Sequence, residues 1–131
     1  MYETGLKCFF GPLEAKVMEV LWHREAHLTI KEVQQALQKE KATKFNTVMT
    51  IMNRLVDKGI LEKRIEGRSS LFKPVQTRNE FLNAQSQEMA HLLTKQFGHT
   101  IVSHMIDVLH EADESLIMQM ERKINEWKKV E

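Results

Sequence analysis

Apolar residues first recur at helical spacing from Leu13, through Val17, Val20 and Leu21 to Trp22. Pro12 precedes them and suits a first helical turn, where its missing N–H would have no partner anyway. A second helix is predicted from Thr29. Thr29-Ile30-Lys31-Glu32 reads as a capping box, and Ile30, Val33, Ala36 and Leu37 would be its buried face. A third runs from about Lys44 to Lys58 and stops at Gly59, a typical C-terminal glycine. The period then changes to that of strands. Ile60 to Glu66 and Ser70 to Val75 flank Glu66-Gly67-Arg68-Ser69, a turn containing glycine. Pro74 fits an edge strand or a strand end.

The remainder has helical spacing. Arg78 to Phe97 carries Leu82, Met89, Leu93 and Phe97 behind Thr77 as cap, and Gly98 breaks it. Ile101, Val102, Met105, Ile106, Val108 and Leu109 mark a shorter helix. Asp113 caps a last one whose apolar residues Ile117, Met120, Ile124 and Trp127 are spaced 3-4-3, like a coiled-coil seam. A seam of about two heptads is too short to be stable alone, so it must pack on something.

The third helix carries the most information. On an ideal wheel Phe45, Val48, Met49, Ile51, Met52, Leu55 and Val56 share one side, the predicted buried face. The other side holds Asn46, Thr47, Thr50, Asn53, Arg54, Asp57 and Lys58. Exposed helices usually carry Glu and Lys pairs. Here the first turns lack carboxylates and are rich in Asn and Thr, which are poor helix formers but can hydrogen-bond to bases and phosphates. Three helices followed by a hairpin is the winged helix-turn-helix order. In it the third helix enters the major groove with its N-terminal half. Arg68 at the hairpin tip would reach an adjacent phosphate or the minor groove. From geometry alone, Lys44 and Lys58 are further candidates for phosphate contacts. The expected fold is therefore mainly α, an α+β winged helix-turn-helix over residues 9–76, with a helical extension over residues 77–131.

Charge supports two jobs in one chain. Of 131 residues, 19 are Lys or Arg and 18 Asp or Glu, a net charge of +1. Residues 42–76 nevertheless carry +4 and residues 77–131 carry −3. The near-neutral total excludes a globally basic nucleic-acid coat protein and a highly charged disordered tail. The single cysteine, Cys8, excludes a disulfide scaffold or a Cys-rich metal site. No apolar run reaches the roughly 18 residues of a membrane span. The stretch Met1-Tyr2-Glu3-Thr4-Gly5-Leu6-Lys7 has no signal-peptide pattern. A cytoplasmic protein is expected.

These residues resemble the penicillinase-repressor family, which includes the methicillin-resistance repressor and copper-responsive repressors. Leu13-Glu14-Ala15-Lys16-Val17-Met18-Glu19-Val20-Leu21-Trp22 looks like its opening helix. Asn46 through Gly59 (NTVMTIMNRLVDKG) is similar to its recognition helix, and Glu66-Gly67-Arg68 to its wing. The resemblance covers residues 9–80 well and the tail only in layout. It implies a homodimeric repressor on a palindromic double-stranded DNA operator, with recognition helices about 34 Å apart or a multiple of that. By position, Asn46, Thr47, Thr50 and Arg54 carry over as groove and backbone contacts and Arg68 as the wing contact. The tail becomes the dimerisation domain. Its candidate contacts are Leu82, Met89, Leu93, Ile101, Met105, Ile117, Met120, Ile124 and Trp127. Copper-responsive members carry paired Cys-x-Cys motifs, which this chain lacks. Antibiotic-responsive members are cut at an Asn-Phe bond, where His104-Met105 stands here, so the resemblance does not carry that cleavage over.

The relieving signal is open. His104, Asp107, His110 and Glu111, at i, i+3, i+6 and i+7, fall within about 120° on a wheel. Imidazole with carboxylate suits zinc, iron or nickel. The plainer reading is a polar helix face, because chelating histidines usually sit at i, i+4. Haem on a tail histidine, with Met105 nearby, would lack any attachment motif. A small-molecule inducer would leave no sequence signature. Lys7 could activate Cys8 as a redox switch, against the plainer reading of an inert thiol. His23 and His27 read as surface residues, and the eight methionines as flexible core filler. Two other classes compete: a winged-helix protein-interaction module, and a small metalloenzyme. The first would not need Asn46, Thr47, Thr50 and Arg54 together. The second would need clustered ligands with an open position.

Overall fold

A computed structural model of the chain describes Leu6 and residues 8–130. The chain divides into two compact units, one ending at Gln85 and the other beginning at Ser86. The first holds helices α1 (Pro12–Arg24), α2 (Ile30–Leu37) and α3 (Phe45–Asp57) and strands β1 (Leu61–Glu66) and β2 (Ser69–Pro74). Helix α4 (Arg78–Phe97) begins in the first unit and ends in the second, which also holds α5 (His99–Ala112) and α6 (Glu114–Val130). The order is the expected one, with β2 starting and ending one residue earlier than its pattern suggested.

Local chemistry sets most boundaries. At α2, Glu32 N–H donates to Thr29 Oγ1 (3.1 Å) and Thr29 N–H to Glu32 Oε1 (3.0 Å), the reciprocal capping box. Thr77 and Glu80 repeat that exchange at α4, at 3.1 and 2.9 Å. Hydrogen bonding to the Glu80 carboxyl from the Thr77 backbone N–H, and secondarily from the Thr77 side chain, holds it below its ordinary pKa. At α6, Ser115 N–H donates to Asp113 Oδ1 (2.9 Å), and this lowers the Asp113 pKa in the same way. Helix α3 closes with Ile60 N–H on Leu55 O (2.9 Å) and Gly59 N–H on Val56 O (2.9 Å). This is a Schellman motif, and it requires the positive φ (79°) that Gly59 supplies without strain.

β1 and β2 pair antiparallel, from Leu61 opposite Pro74 to Glu66 opposite Ser69. Gly67 and Arg68 form the two-residue loop. The hairpin expectation omitted one feature: Leu28 bridges Phe72, with bonds of 2.9 Å from Leu28 N–H and 2.8 Å from Phe72 N–H. The loop between α1 and α2 thereby ties the inner edge of β2 to the helices and satisfies Phe72, a fully buried residue.

The core lies in the first unit. Val17, Met18, Leu21, Val33, Val48, Met52, Leu55 and Phe72 are fully buried there, and Leu61 nearly so. Two contributors extend beyond the expected span of residues 9–76. Leu6 is buried in the core from the N-terminal side, next to Phe10 of the expected span. Phe81 is buried from α4, with its ring stacked on Phe10 (centroids 5.1 Å apart), 5.5 Å from Trp22 and edge-on to Phe9 at 6.0 Å. Trp22 Nε1 donates to Gln76 O (2.9 Å), and Arg78 Nε donates to Glu19 Oε1 (2.8 Å). The start of α4 is thus structurally part of the winged unit. In α5 and α6, which pack on each other, no described side chain is buried.

Candidate nucleic-acid interface

Helix α3 is positioned by its apolar side. Val48, Ile51, Met52 and Leu55 are buried, and Met49 and Val56 are half-buried. Phe45 departs from the predicted face: it is 43% exposed. It occupies the first turn, at the edge of the apolar arc. The opposite side presents Asn46, Thr47, Thr50 and Arg54 to solvent, as the wheel predicts.

The N-terminal half of α3 is suited to an anionic partner. Its N-cap is Lys44, which makes no side-chain cap bond, and its first turn has no acidic residue. Thr47 and Val48 N–H both reach Lys44 O (3.1 Å each). The first amides of any α-helix lack intrahelical acceptors, and with the helix dipole they favour negative charge. Thr50 Oγ1 donates to Asn46 O (2.9 Å), which fixes its rotamer and turns the hydroxyl's lone pairs outward as acceptors. Lys58 is at the other end of the helix, roughly 20 Å from Lys44. Its ammonium lies 3.3 Å from Glu14 Oε2. The structure therefore separates the two lysines: Lys44 lies beside the exposed polar face, while Lys58 ties α3 to α1.

Arg68 is at the exposed tip of the hairpin, and Arg64 and Glu66 pair along β1 at 3.2 Å. The wing is held to α3 by a residue that motif reading overlooked. Lys63 Nζ donates to Asn53 Oδ1 (3.4 Å) and lies 5.7 Å from the centre of the Phe72 ring. The available signal was alternation: Lys63 shares a strand face with Leu61, which is buried.

The other candidate residues belong to other elements. Leu82 packs against the core of the first unit. Met89, Leu93, Ile101, Ile117 and Met120 are half-buried, whereas Met105, Ile124 and Trp127 are 49, 39 and 65% exposed. Leu92, Phe97, Val102, Ile106, Val108 and Met118 are exposed as well. His104, Asp107, His110 and Glu111 all face solvent. Among the described residues no group of three or more His, Cys, Asp or Glu side chains is placed to hold a metal ion. His23 is exposed and His27 half-buried. Cys8 is exposed, and Lys7 lies outside the described residues. No helix among the described residues is long and apolar enough to cross a membrane.

Comparison with known proteins gives this surface a context. The model of the penicillinase repressor family matches residues 10–126. A transcriptional regulator BlaI, found in two strains of Mycobacterium tuberculosis, is 33% identical over 72 residues, or 55% of this chain. The match takes in 52% of that protein, so the chain spans about half the length of the curated relatives it matches. The solution structure of the DNA-binding domain of the repressor BlaI aligns at a TM-score of 0.49 and 28% identity, over 55% of this chain and 87% of that one. MepR, a transcription regulator of the Staphylococcus aureus multidrug efflux pump MepA, aligns at 0.40 and 19% identity, over 79% of this chain and 76% of that one. With the matched span running from just before α1 into α6, the chain belongs to the penicillinase repressor family.

Proposed function

We propose that this protein is a sequence-specific DNA-binding transcriptional repressor that acts in the cytoplasm as a homodimer on a palindromic operator. The observation that carries the reading is the exposed face of α3. Asn46, Thr47, Thr50 and Arg54 stand together on a helix whose first turn has no carboxylate, beside a wing tipped by Arg68. Side-chain amides, hydroxyls and guanidinium groups supply the donors and acceptors that base edges and phosphates require. In this reading Asn46, Thr47, Thr50 and Arg54 enter the major groove, Lys44 meets a phosphate, and Arg68 reaches the adjacent backbone or minor groove. A bound dimer whose operator overlaps a promoter blocks polymerase. The family and the curated relatives are regulators of transcription rather than enzymes.

The tail supports the homodimer. Its helices leave a series of large apolar side chains exposed, from Leu92 to Trp127. A second copy would cover them and place two recognition helices on one duplex, which multiplies affinity through effective concentration. The division of labour follows: a winged unit for DNA and a helical unit for self-association. The inducer, whether small molecule, metal or haem, is the open part of the reading.

The test is selection of bound duplexes from a random pool at physiological salt. A palindrome is expected, with half-sites one helical turn apart or a multiple of it. Arg54→Ala and Thr50→Ala should weaken binding to it while circular dichroism shows the fold intact. Enrichment of no sequence, or operator affinity unchanged in both variants, overturns the reading.

A further inference from the structure

Among the described residues of the first unit, three large apolar side chains are exposed: Phe45 (43%), Val75 (54%) and Ile65 (71%). Scattered exposed apolar residues are ordinary, and Val75, beyond the end of β2, needs no further account. Phe45 and Ile65 are distinguished by their placement. Leu61, Lys63 and Ile65 alternate onto one face of β1. Leu61 is buried and Lys63 bonds Asn53 of α3, so that face looks toward α3, and Ile65 is its outermost member. Along α3, Phe45 lies eight residues before Asn53, about 12 Å toward the N-terminus and about 80° round the helix. Ile65 lies two residues beyond Lys63, about 6.6 Å toward the wing tip. Both apolar residues therefore lie beyond the Lys63–Asn53 contact on their own elements, Phe45 in the first turn of the recognition helix and Ile65 near the wing tip.

Cations lie near both residues: Lys44 is next to Phe45 and Arg68 is in the turn beyond Ile65, within a segment that carries +4 over residues 42–76, whereas Arg64 alternates onto the opposite face of β1 and pairs with Glu66. That charge matches a phosphodiester backbone. Between the phosphates, a DNA strand offers apolar groups as well: deoxyribose carbons and, in the major groove, the thymine methyl.

We propose that Phe45 and Ile65 are apolar DNA contacts, one on the recognition helix and one on the wing. Phe45 packs on a thymine methyl in the major groove, and Ile65 packs on deoxyribose carbons at the wing. The proposal rests on the DNA-binding reading and adds a specificity-determining residue to it. Such contacts displace no counterions, so they contribute affinity and base preference without contributing to the salt dependence.

The experiment uses the full chain and the duplex that the wild-type protein enriches. Each thymine is replaced singly by deoxyuridine, which removes only the 5-methyl group. One position per half-site should weaken wild-type binding, and Phe45→Ala should lose affinity and become indifferent to that replacement. Ile65→Thr, which keeps the branched strand residue, should weaken binding at every salt concentration with the log–log salt slope unchanged. Each loss should be about five- to twentyfold, the range for removing a part-buried apolar contact. Ile65→Thr should keep the wild-type melting temperature, and Phe45→Ala, whose ring is more than half covered, should melt lower but is compared at a temperature where circular dichroism shows it folded. Wild-type indifference to every deoxyuridine, or equal sensitivity in Phe45→Ala, overturns the Phe45 contact. Unchanged affinity in Ile65→Thr overturns the wing contact. If the wild-type protein enriches no duplex, the DNA reading itself fails; enrichment with indifferent variants leaves that reading standing and removes only this inference.

Discussion

Replacing Phe81 by alanine tests how far the winged unit extends. The sequence boundary at residue 76 would make Phe81 a tail residue, yet it is 3% exposed and its ring meets those of Phe9, Phe10 and Trp22. Truncating a buried phenylalanine costs about 3–5 kcal/mol, through the transfer energy of the removed ring and the cavity left behind. Pairwise ring interactions, about 0.5–1.5 kcal/mol each beyond burial, place this site toward the upper part of that range. A domain of this size has about 5–15 kcal/mol in total. One kcal/mol lowers the melting temperature of a 60–100-residue domain by about 4–8 °C. Even the lower cost therefore predicts a fall of about 12–24 °C. Thermal unfolding followed by calorimetry and by tryptophan fluorescence reads it, because Trp22 lies against the Phe81 ring. His23→Ala, at an exposed position on the same helix as Trp22, is the control and should stay within about 0.5 kcal/mol of wild type. A melting temperature within about 3 °C of wild type for Phe81→Ala would refute the claim that α4 begins inside the core.

Arg68→Ala should weaken binding on all sequences and flatten the salt dependence by about one unit of slope for each phosphate it no longer neutralises; weakening confined to one sequence would make Arg68 a groove reader instead. Ile124→Asp should shift dimers toward monomers in sedimentation, because it places a charge among the exposed apolar residues of α6; intact dimers would move the interface elsewhere. The Glu80 carboxyl is held below its ordinary value of 4.5 by the bonds from Thr77, so its contribution to stability is present above that pH and is lost as pH falls through the lower folded value. Glu80→Gln should accordingly reduce the loss of stability on acidification, and denaturant titrations at pH 6 and pH 3.5 with unchanged differences would contradict the sign.

Much of this molecule could be read without coordinates. Helices α1 to α3 and the hairpin follow from period, caps and two glycines, because those signals act between residues a few positions apart. The polar face of α3 was equally legible: side-chain direction on a helix is set by 3.6 residues per turn, so Asn46, Thr47, Thr50 and Arg54 had to emerge together. Gly59 shows the same locality, since a Schellman stop is written within six residues of chain.

What the tertiary structure decided involves partners far apart in sequence. Phe10, Trp22 and Phe81 form one cluster, and nothing in the spacing of any one segment reveals that the other two will cover it. Leu28 pairs with Phe72 through backbone groups, which carry no sequence signal. The wheel put Phe45 on the buried side because it assumes cover along the whole helix, whereas the first-turn Phe45 is 43% exposed. Geometry along the helix made Lys58 a candidate phosphate contact and gave Lys63 no role, until the fold brought Glu14 and Asn53 within 3.5 Å of them. Sequence by itself determined which elements form and which faces they offer; only the packed structure decided where each element ends its cover, and so which side chains remain for a partner.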